Sequence, residues 1–127
     1  MMFLRTVLML LTISTTLHMQ AQSSGPYVRI ARLVIDSAQL EAYQAALKEE
    51  IAAAVKAEPG VLRMYAVYDK VHPDHVTVFE TYASREAYDQ HIQTPHFKKY
   101  KSGTLGMVRS LELTDVVPII FEAKKEQ

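Results

Sequence analysis

The sequence contains no cysteine among its 127 residues, and it also lacks tryptophan and asparagine. Without cysteine no disulfide can hold the fold, so its stability has to come from a hydrophobic core. Neither sign of charge is in excess, because 14 lysines and arginines balance 14 aspartates and glutamates. A near-neutral chain does not favour binding to nucleic acid or to an anionic membrane surface. The length suits one domain and is too short for two.

The first 25 residues differ in character from the rest. Arg5 precedes an apolar run over residues 7–13, after which the sequence becomes small and polar. This layout is typical of a secretory signal peptide, and the run is too short for a stable membrane anchor. A core helix or a short anchor are the alternatives, while the missing cysteine excludes a lipoprotein anchor. We predict a signal peptide over 1–22, one domain over 23–127, and export to the periplasm or the extracellular space.

The remaining chain alternates strand-like and helix-like segments. Alternating and β-branched residues predict four strands, over residues 27–35, 61–69, 76–83 and 107–115. A short fifth strand is predicted over 116–121, where Pro118 confines it to a sheet edge.

Two helices are predicted between these strands. Apolar residues recur at helical spacing from Leu40 to Ala54, and a Pro-Gly pair then ends the first helix. Ser84 is placed to cap the second helix, which Thr94 and Pro95 interrupt and restart. The order β-α-β-β-α-β is the ferredoxin-like pattern of an α+β sandwich.

Two helices cover only one face of a four-stranded sheet, so the other face has to be buried elsewhere. A homodimer in which two sheets face each other is the simplest solution, with roughly 800 Å² buried per partner. In the first strand the interface set is either Leu33 with Ile35 or Val28 with Val34. Apolar residues from 107 to 121 are expected to join it.

Several motifs point to a known family. The stretch "EPGVLRMYAVYD", the Glu80-x-Tyr82 strand end and "HIQTPHF" over 91–97 together resemble the antibiotic biosynthesis monooxygenase (ABM) family, in particular its quinol monooxygenase branch. The resemblance covers roughly residues 28–117. It implies a dimeric α/β barrel in which each subunit has its own pocket between sheet and helices.

The resemblance also implies an oxygenase that uses no metal, haem or flavin. A phenolic substrate is deprotonated and itself reduces O₂, so the protein supplies shape, a base and a field for the anion. The chain departs from the better-described polyketide oxygenases and haem-degrading relatives in having no tryptophan and no asparagine. This absence argues against haem degradation.

Helical spacing from Tyr88 places His91 and His96 on or beside the apolar face of the second helix, unless the interruption at Pro95 turns His96 away from it. A histidine in an apolar pocket is suited to removing a phenolic proton, although it could also be an interior residue bonded to a backbone carbonyl. The resemblance makes His91 the expected base and His96 a second polar contact. We expect no metal, because a regular helix turns the two rings about 140° apart.

Glu80 shares its predicted strand face with Val76, Val78 and Tyr82, so its carboxylate needs a partner. Either it orients a histidine, which is the role we assign to it beside His91, or it forms an ion pair with an arginine of a neighbouring strand such as Arg63 or Arg109. Further residues are candidates for binding a planar substrate: Tyr65, Tyr82, Tyr88, Phe97 and Arg63.

Together with these candidate residues, the resemblance implies a cofactor-independent monooxygenase that oxidises a quinol or similar small phenol with O₂. Two alternatives stay open. A non-oxidative isomerase of a small metabolite would turn over equally well without O₂. A secreted module that binds a hydrophobic ligand without chemistry would retain that ligand on isolation.

Overall fold

The computed structural model describes residues 25–126, and the predicted signal peptide lies outside the described residues. The elements in chain order are β1 (Tyr27–Ile35), a short 3₁₀ turn (Ser37–Gln39), α1 (Leu40–Ala57), β2 (Val61–Tyr68), β3 (His75–Tyr82), α2 (Arg85–His91), α3 (Pro95–Thr104) and β4 (Val108–Val116). The strands form one antiparallel sheet in the order β2-β3-β1-β4. The predicted α+β ferredoxin-like topology is therefore confirmed. Within residues 25–126 no helix has the length and apolar character needed to cross a membrane.

The helix boundaries follow from local capping. The Ser84 hydroxyl accepts a hydrogen bond from the backbone N–H of Ala87, which starts α2. The Thr94 hydroxyl accepts one from Phe97, and Pro95 occupies the first position of α3, where no backbone N–H is needed. The predicted interruption is thus a complete break between two separate helices.

One face of the sheet packs against the helices and forms the core. Leu33 and Ile35 of β1 point to this face and are buried, as are Val76 and Val78 of β3. Burying each such side chain contributes about 1.5–3 kcal/mol. Of the two sets considered for the interface, Leu33 with Ile35 therefore belongs to the core.

The opposite face of the sheet is open in the single subunit. Val28 and Val34 alternate with the buried residues of β1 and point to this face, where they are partly buried. Tyr65 and Phe79 share it at 62% and 41% exposure, and their rings lie 6.4 Å apart. Large exposed aromatic and apolar side chains on a sheet face often mark an interaction site.

The chain after β4 does not form the predicted fifth strand. Strand β4 ends at Val116, and residues 117–126 carry no strand pairing. Pro118 lacks the N–H that a ladder requires, which explains why the pairing stops. The Phe121 ring lies 3.4 Å from the Arg63 guanidinium of β2. Since β4 and β2 are opposite edges, the tail spans the width of the sheet.

Gly60, between α1 and β2, lies directly against α2. A Cβ at this position would be 2.6 Å from the Cβ of Ala87. We expect Gly60→Ala to lower the free energy of unfolding by about 1–3 kcal/mol, because α2 must move to relieve the overlap. Urea denaturation followed by circular dichroism measures the change.

A second substitution isolates this contact. Adding Ala87→Gly removes the opposing methyl group, so the double variant should recover the stability lost in Gly60→Ala. It should remain less stable than wild type by about 1 kcal/mol, because glycine is unfavourable in a helix. A Gly60→Ala protein as stable as wild type would refute the contact. A double variant that loses more unfolding free energy than the two single variants together would also refute it.

Candidate active site

Two histidines from separate helices meet at one carboxylate. His91 is the last residue of α2 and is 1% exposed. Its Nδ1 lies 2.8 Å from Oε2 of Glu58. His96, in the first turn of α3, places its Nε2 2.6 Å from the same oxygen. A single carboxylate oxygen therefore holds both imidazole rings.

The break between α2 and α3 makes this arrangement possible. On one regular helix the two rings would point about 140° apart, as expected from the sequence. Because α2 ends at His91 and α3 restarts at Pro95, His96 turns back and the ring centroids lie 6.1 Å apart. Glu58 meets them from the other side, at the residue where Pro59 prevents α1 from continuing.

A second carboxylate approaches the other nitrogen of His91. Oε1 of Glu50 lies 3.3 Å from Nε2 of His91, and Glu50, on the inner side of α1, is 5% exposed. Burial raises the pKa of Glu50 to about 7, with further increases from the Glu80 and Glu58 carboxylates and an opposing effect of His96. Oε1 of Glu50 makes no hydrogen bond to any described residue.

Glu80 contributes a third acidic group nearby. Burial raises the pKa of Glu80 to about 7, although the positive charge of Arg29 opposes the shift. Arg29 lies opposite Glu80 in the β1–β3 register. Two carboxyl groups that titrate near neutral pH in one enclosed region are characteristic of functional sites.

These groups border a cavity of about 70 Å³ between the sheet and the helices. Charged residues and a histidine from the sheet and from all three helices line it: Arg29, Glu80, Glu50, His91 and Lys101. A larger groove of about 470 Å³ lies between α1 and β2, but within the described part of the chain Lys48 is the only charged residue that lines it. The ionisable side chains are therefore concentrated around the smaller cavity.

The smaller cavity has to widen to admit an aromatic ring. A cavity of about 150 Å³ accommodates benzene. The cavity between sheet and helices, at about 70 Å³, has roughly half that volume. Leu111 and Leu113 of β4 line the cavity and are 41% and 48% exposed. Their side chains therefore form a part of the cavity wall that is open to solvent in the single subunit.

The structure gathers most of the site residues proposed from the sequence. Glu80, Tyr88, His91 and Phe97 all line the cavity. Tyr82 does not line it; its fully buried ring packs 5.5 Å from the His91 ring and supports it from behind. His96 lies on the far side of Glu58 and borders a separate cavity of about 140 Å³ between α1 and α3.

Two proposed substrate contacts lie elsewhere. Tyr65 and Arg63 point to the open face of the sheet, away from the cavity. The register between β2 and β3 shifts between Val61 and Arg63, and such a shift changes which residues of a strand face the core. Met64 and Ala66 occupy the helix-facing positions instead.

The expected partners of Glu80 also differ from those observed. In the described part of the chain the ring nitrogens of His91 contact Glu58 and Glu50 rather than Glu80. Arg109 bonds to Asp36 on the surface. The cations that act on Glu80 are Arg29, which lies opposite it in the β1–β3 register, and Lys101.

Sequence reasoning missed Glu50 and Glu58. Glu50 follows Tyr43 and Leu47 at helical spacing on the buried side of α1, so a charged residue within an apolar stripe was the available signal. Glu58 was part of the quoted Glu-Pro-Gly motif but was interpreted only as the end of a helix. No local signal indicates that it would meet two histidines more than 30 positions away.

Fold and site together define an α+β protein of ferredoxin-like topology with a histidine–carboxylate cluster beneath its helices. Residues 26–102 match the antibiotic biosynthesis monooxygenase family, and the chain belongs to that family. No curated protein matches the chain.

Solved structures agree with this assignment. A proposed antibiotic biosynthesis monooxygenase from Bacteroides thetaiotaomicron is 53% identical, with a TM-score of 0.76 over 80% of this chain and 97% of that one. A proposed monooxygenase from Lactobacillus acidophilus is 32% identical, with a TM-score of 0.72, and is matched over 74% of this chain and 45% of that longer one. A proposed family member from Nitrosomonas europaea, 18% identical with a TM-score of 0.70 over 74% and 99% of the two chains, shows the shared fold.

Proposed function

We propose that the protein is a cofactor-independent monooxygenase that oxidises a quinol or a similar small phenol with O₂. The observation that carries the proposal is the setting of His91, which lines the cavity with Nδ1 held by Glu58. A carboxylate at Nδ1 favours the tautomer protonated there, so Nε2 keeps a lone pair. Nε2 of His91 is then the atom that takes the phenolic proton.

The cavity also contains a fixed positive charge for the resulting anion. Nη1 of Arg29 donates a hydrogen bond of 2.7 Å to the Tyr88 hydroxyl, and the guanidinium lies 4.4 Å from the Tyr88 ring centroid. Nε of Arg29 is tied to Asp115 at 2.9 Å. A cation held in this way stabilises a phenolate without having to reorganise.

The substrate itself supplies the electrons in this proposal. Hydroquinone and O₂ give a hydroxyquinone and water, so one oxygen atom enters the ring and the other leaves as water. The phenolate form donates the first electron to O₂, which is why deprotonation by His91 starts the reaction.

Oxygen uptake in chelator-treated buffer tests the proposal. The chain without residues 1–22 is assayed with a panel of hydroquinones. The masses of the products formed under isotope-labelled O₂ are measured by mass spectrometry. We expect protein-dependent uptake and one labelled oxygen atom per product. Turnover unaffected by removing O₂ would select an isomerase instead, and a retained ligand without any turnover would select a binding module.

We also propose that the protein is a homodimer formed through the open sheet face and the tail. The tail residues Val117 and Ile119 are 89% and 100% exposed in the single subunit, and Tyr65 and Phe79 expose aromatic surface on the open face, which the tail reaches through the contact of Phe121 with Arg63. An apolar face and an apolar tail of this kind are stabilised by a second copy.

Removal of residues 117–127 is expected to convert the dimer into a monomer at micromolar concentration, as measured by size-exclusion chromatography with light scattering. Each large apolar side chain that leaves the interface costs about 1.5–3 kcal/mol. Ile119→Ser with Ile120→Ser should act in the same direction. Val71→Ser is the matched control, because Val71 is 79% exposed in the β2–β3 turn. A monomeric full-length domain would contradict the proposed interface.

A further inference from the structure

Three side chains of the types that bind metal ions lie close together beside the cavity. One oxygen of Glu50 and one ring nitrogen each of His91 and His96 all lie within 4.8 Å of one another. Two imidazoles and a carboxylate are donors that zinc and other first-row divalent metals bind well. The expectation that this histidine pair binds no metal assumed one regular helix, and the break between α2 and α3 removes that assumption.

The state of Glu50 is an independent indication of a ligand. Its Oε1 is buried and has no hydrogen-bond partner among residues 25–126, although a buried carboxylate oxygen normally has one. This oxygen lies 3.3 Å from Nε2 of His91. When two donor atoms bind the same tetrahedral ion with metal–ligand distances of about 2.0–2.1 Å, the donor atoms lie about 3.3 Å from each other. The spacing of these two atoms therefore suits a shared ion.

Glu58 has the position of an outer carboxylate that orients a metal ligand. A metal-bound histidine usually donates its other N–H to a carboxylate, which fixes the ring and leaves the opposite nitrogen for the metal. Nδ1 of His91 lies 2.8 Å from Glu58, and Nε2 points towards Glu50. His91 is thus arranged as a ligand through Nε2.

A route to the site exists between α1 and α3. The cavity of about 140 Å³ there is lined by Glu50 and His96, so an ion and a bound water have room to enter. The His96 side chain is 20% exposed and can approach the other two donors as the ion binds.

We propose that Glu50, His91 and His96 bind one divalent transition-metal ion of the zinc type and that the bound ion inhibits the protein. Binding by itself does not depend on the proposed function. The inhibitory effect rests on that function, because Nε2 of His91 cannot coordinate a metal and accept a phenolic proton at the same time.

Calorimetry with Zn²⁺ and absorption spectroscopy with Co²⁺ test binding without any turnover. We expect one ion per chain for the metal-stripped domain and Co²⁺ bands of a four-coordinate site. Glu50→Gln and His96→Gln should each weaken binding by about 10-fold or more, since each removes a ligand. His96 is the partly exposed member, so His96→Gln keeps the test valid should Glu50→Gln fail to fold.

A control variant separates this site from the other histidine pair. His72 and His75 lie in the exposed β2–β3 turn with ring centroids 5.6 Å apart. The double variant His72→Gln/His75→Gln should bind metal as wild type does. No stoichiometric binding, or binding lost in this control and kept in Glu50→Gln, would overturn the metal site.

Inhibition is measured separately on the oxygen-uptake assay. Stoichiometric Zn²⁺ should abolish uptake, and a chelator should restore it. Metal binding that leaves uptake unchanged would overturn the inhibitory effect. Metal binding by a chain that never consumes oxygen would count against the monooxygenase proposal and leave the metal site standing.

Discussion

Replacing His91 with alanine is expected to lower the rate of oxygen uptake by about 10²- to 10⁴-fold, the range typical for loss of a general base. The ring is the only imidazole that borders the cavity within the described residues, and no other side chain there has a nitrogen lone pair in the same position. The measurement is kcat and KM with the best hydroquinone in chelator-treated buffer. We expect the loss in kcat rather than KM, because the role proposed for His91 is to accept the proton that is transferred.

Two further variants make this result interpretable. His91→Gln fills more of the buried space and can still donate to Glu58, yet it cannot accept a proton, so it should be as inactive as His91→Ala. His75→Ala removes a histidine whose side chain is 57% exposed and should leave the rate unchanged. Wild-type kcat in a folded His91→Gln protein would eliminate His91 as the base.

Glu50→Gln is expected to become progressively more stable than wild type as the pH rises. Burial raises the pKa of Glu50 in the folded protein to about 7 from its ordinary value of 4.5. Between these values the folded chain holds a proton that the unfolded chain has lost, so wild-type stability falls with rising pH. Below 4.5 the carboxyl is neutral in both states and contributes nothing. Above about pH 7 the carboxylate is ionised in both states, and the free energy of unfolding has then fallen by about 3 kcal/mol. This loss is the penalty for burying the charged group.

Glutamine has the shape of the neutral carboxyl and does not ionise, so the variant avoids this penalty. Urea denaturation with a chelator present, from about pH 4.5 to about pH 8, should show the stability difference growing by about 3 kcal/mol. Glu49→Gln is the matched control, because the neighbouring Glu49 side chain is 62% exposed and pairs with Lys99 on the surface. A stability difference that does not change with pH would mean that Glu50 is not the buried acid described above.

Much of the fold was predictable because its signals are local. The Ser84 and Thr94 caps and the stop at Pro59 each depend on contacts within a few residues, and all three lie where the sequence places them. The orientation of β3 was also predictable, since strict alternation places Glu80 on the same face of the strand as Val76 and Val78. These predictions needed only the backbone geometry of helices and strands.

The sequence did not predict which residues of β2 face the helices, nor did it predict the path of the tail. A single register shift near Arg63 determines that Tyr65 points away from the cavity, and no turn residue in the sequence marks it. The tail was expected to extend the sheet because "VVPIIF" is apolar and rich in β-branched residues. Its course is determined instead by the proline and by the contact of Phe121 with Arg63.

The sequence by itself determined the topology, the break at Thr94-Pro95 and the choice of His91 and His96 as candidate residues. Only the tertiary structure decided which carboxylates they meet. Glu58 is separated from His91 by 33 positions and from His96 by 38, so no local pattern encodes their contact. The packing of α1 against α3 brings these groups together and also removes Glu50 from water. Burial and proximity of charges, which shift the pKa of that carboxyl, are properties of the packed core and do not exist in the chain before it folds.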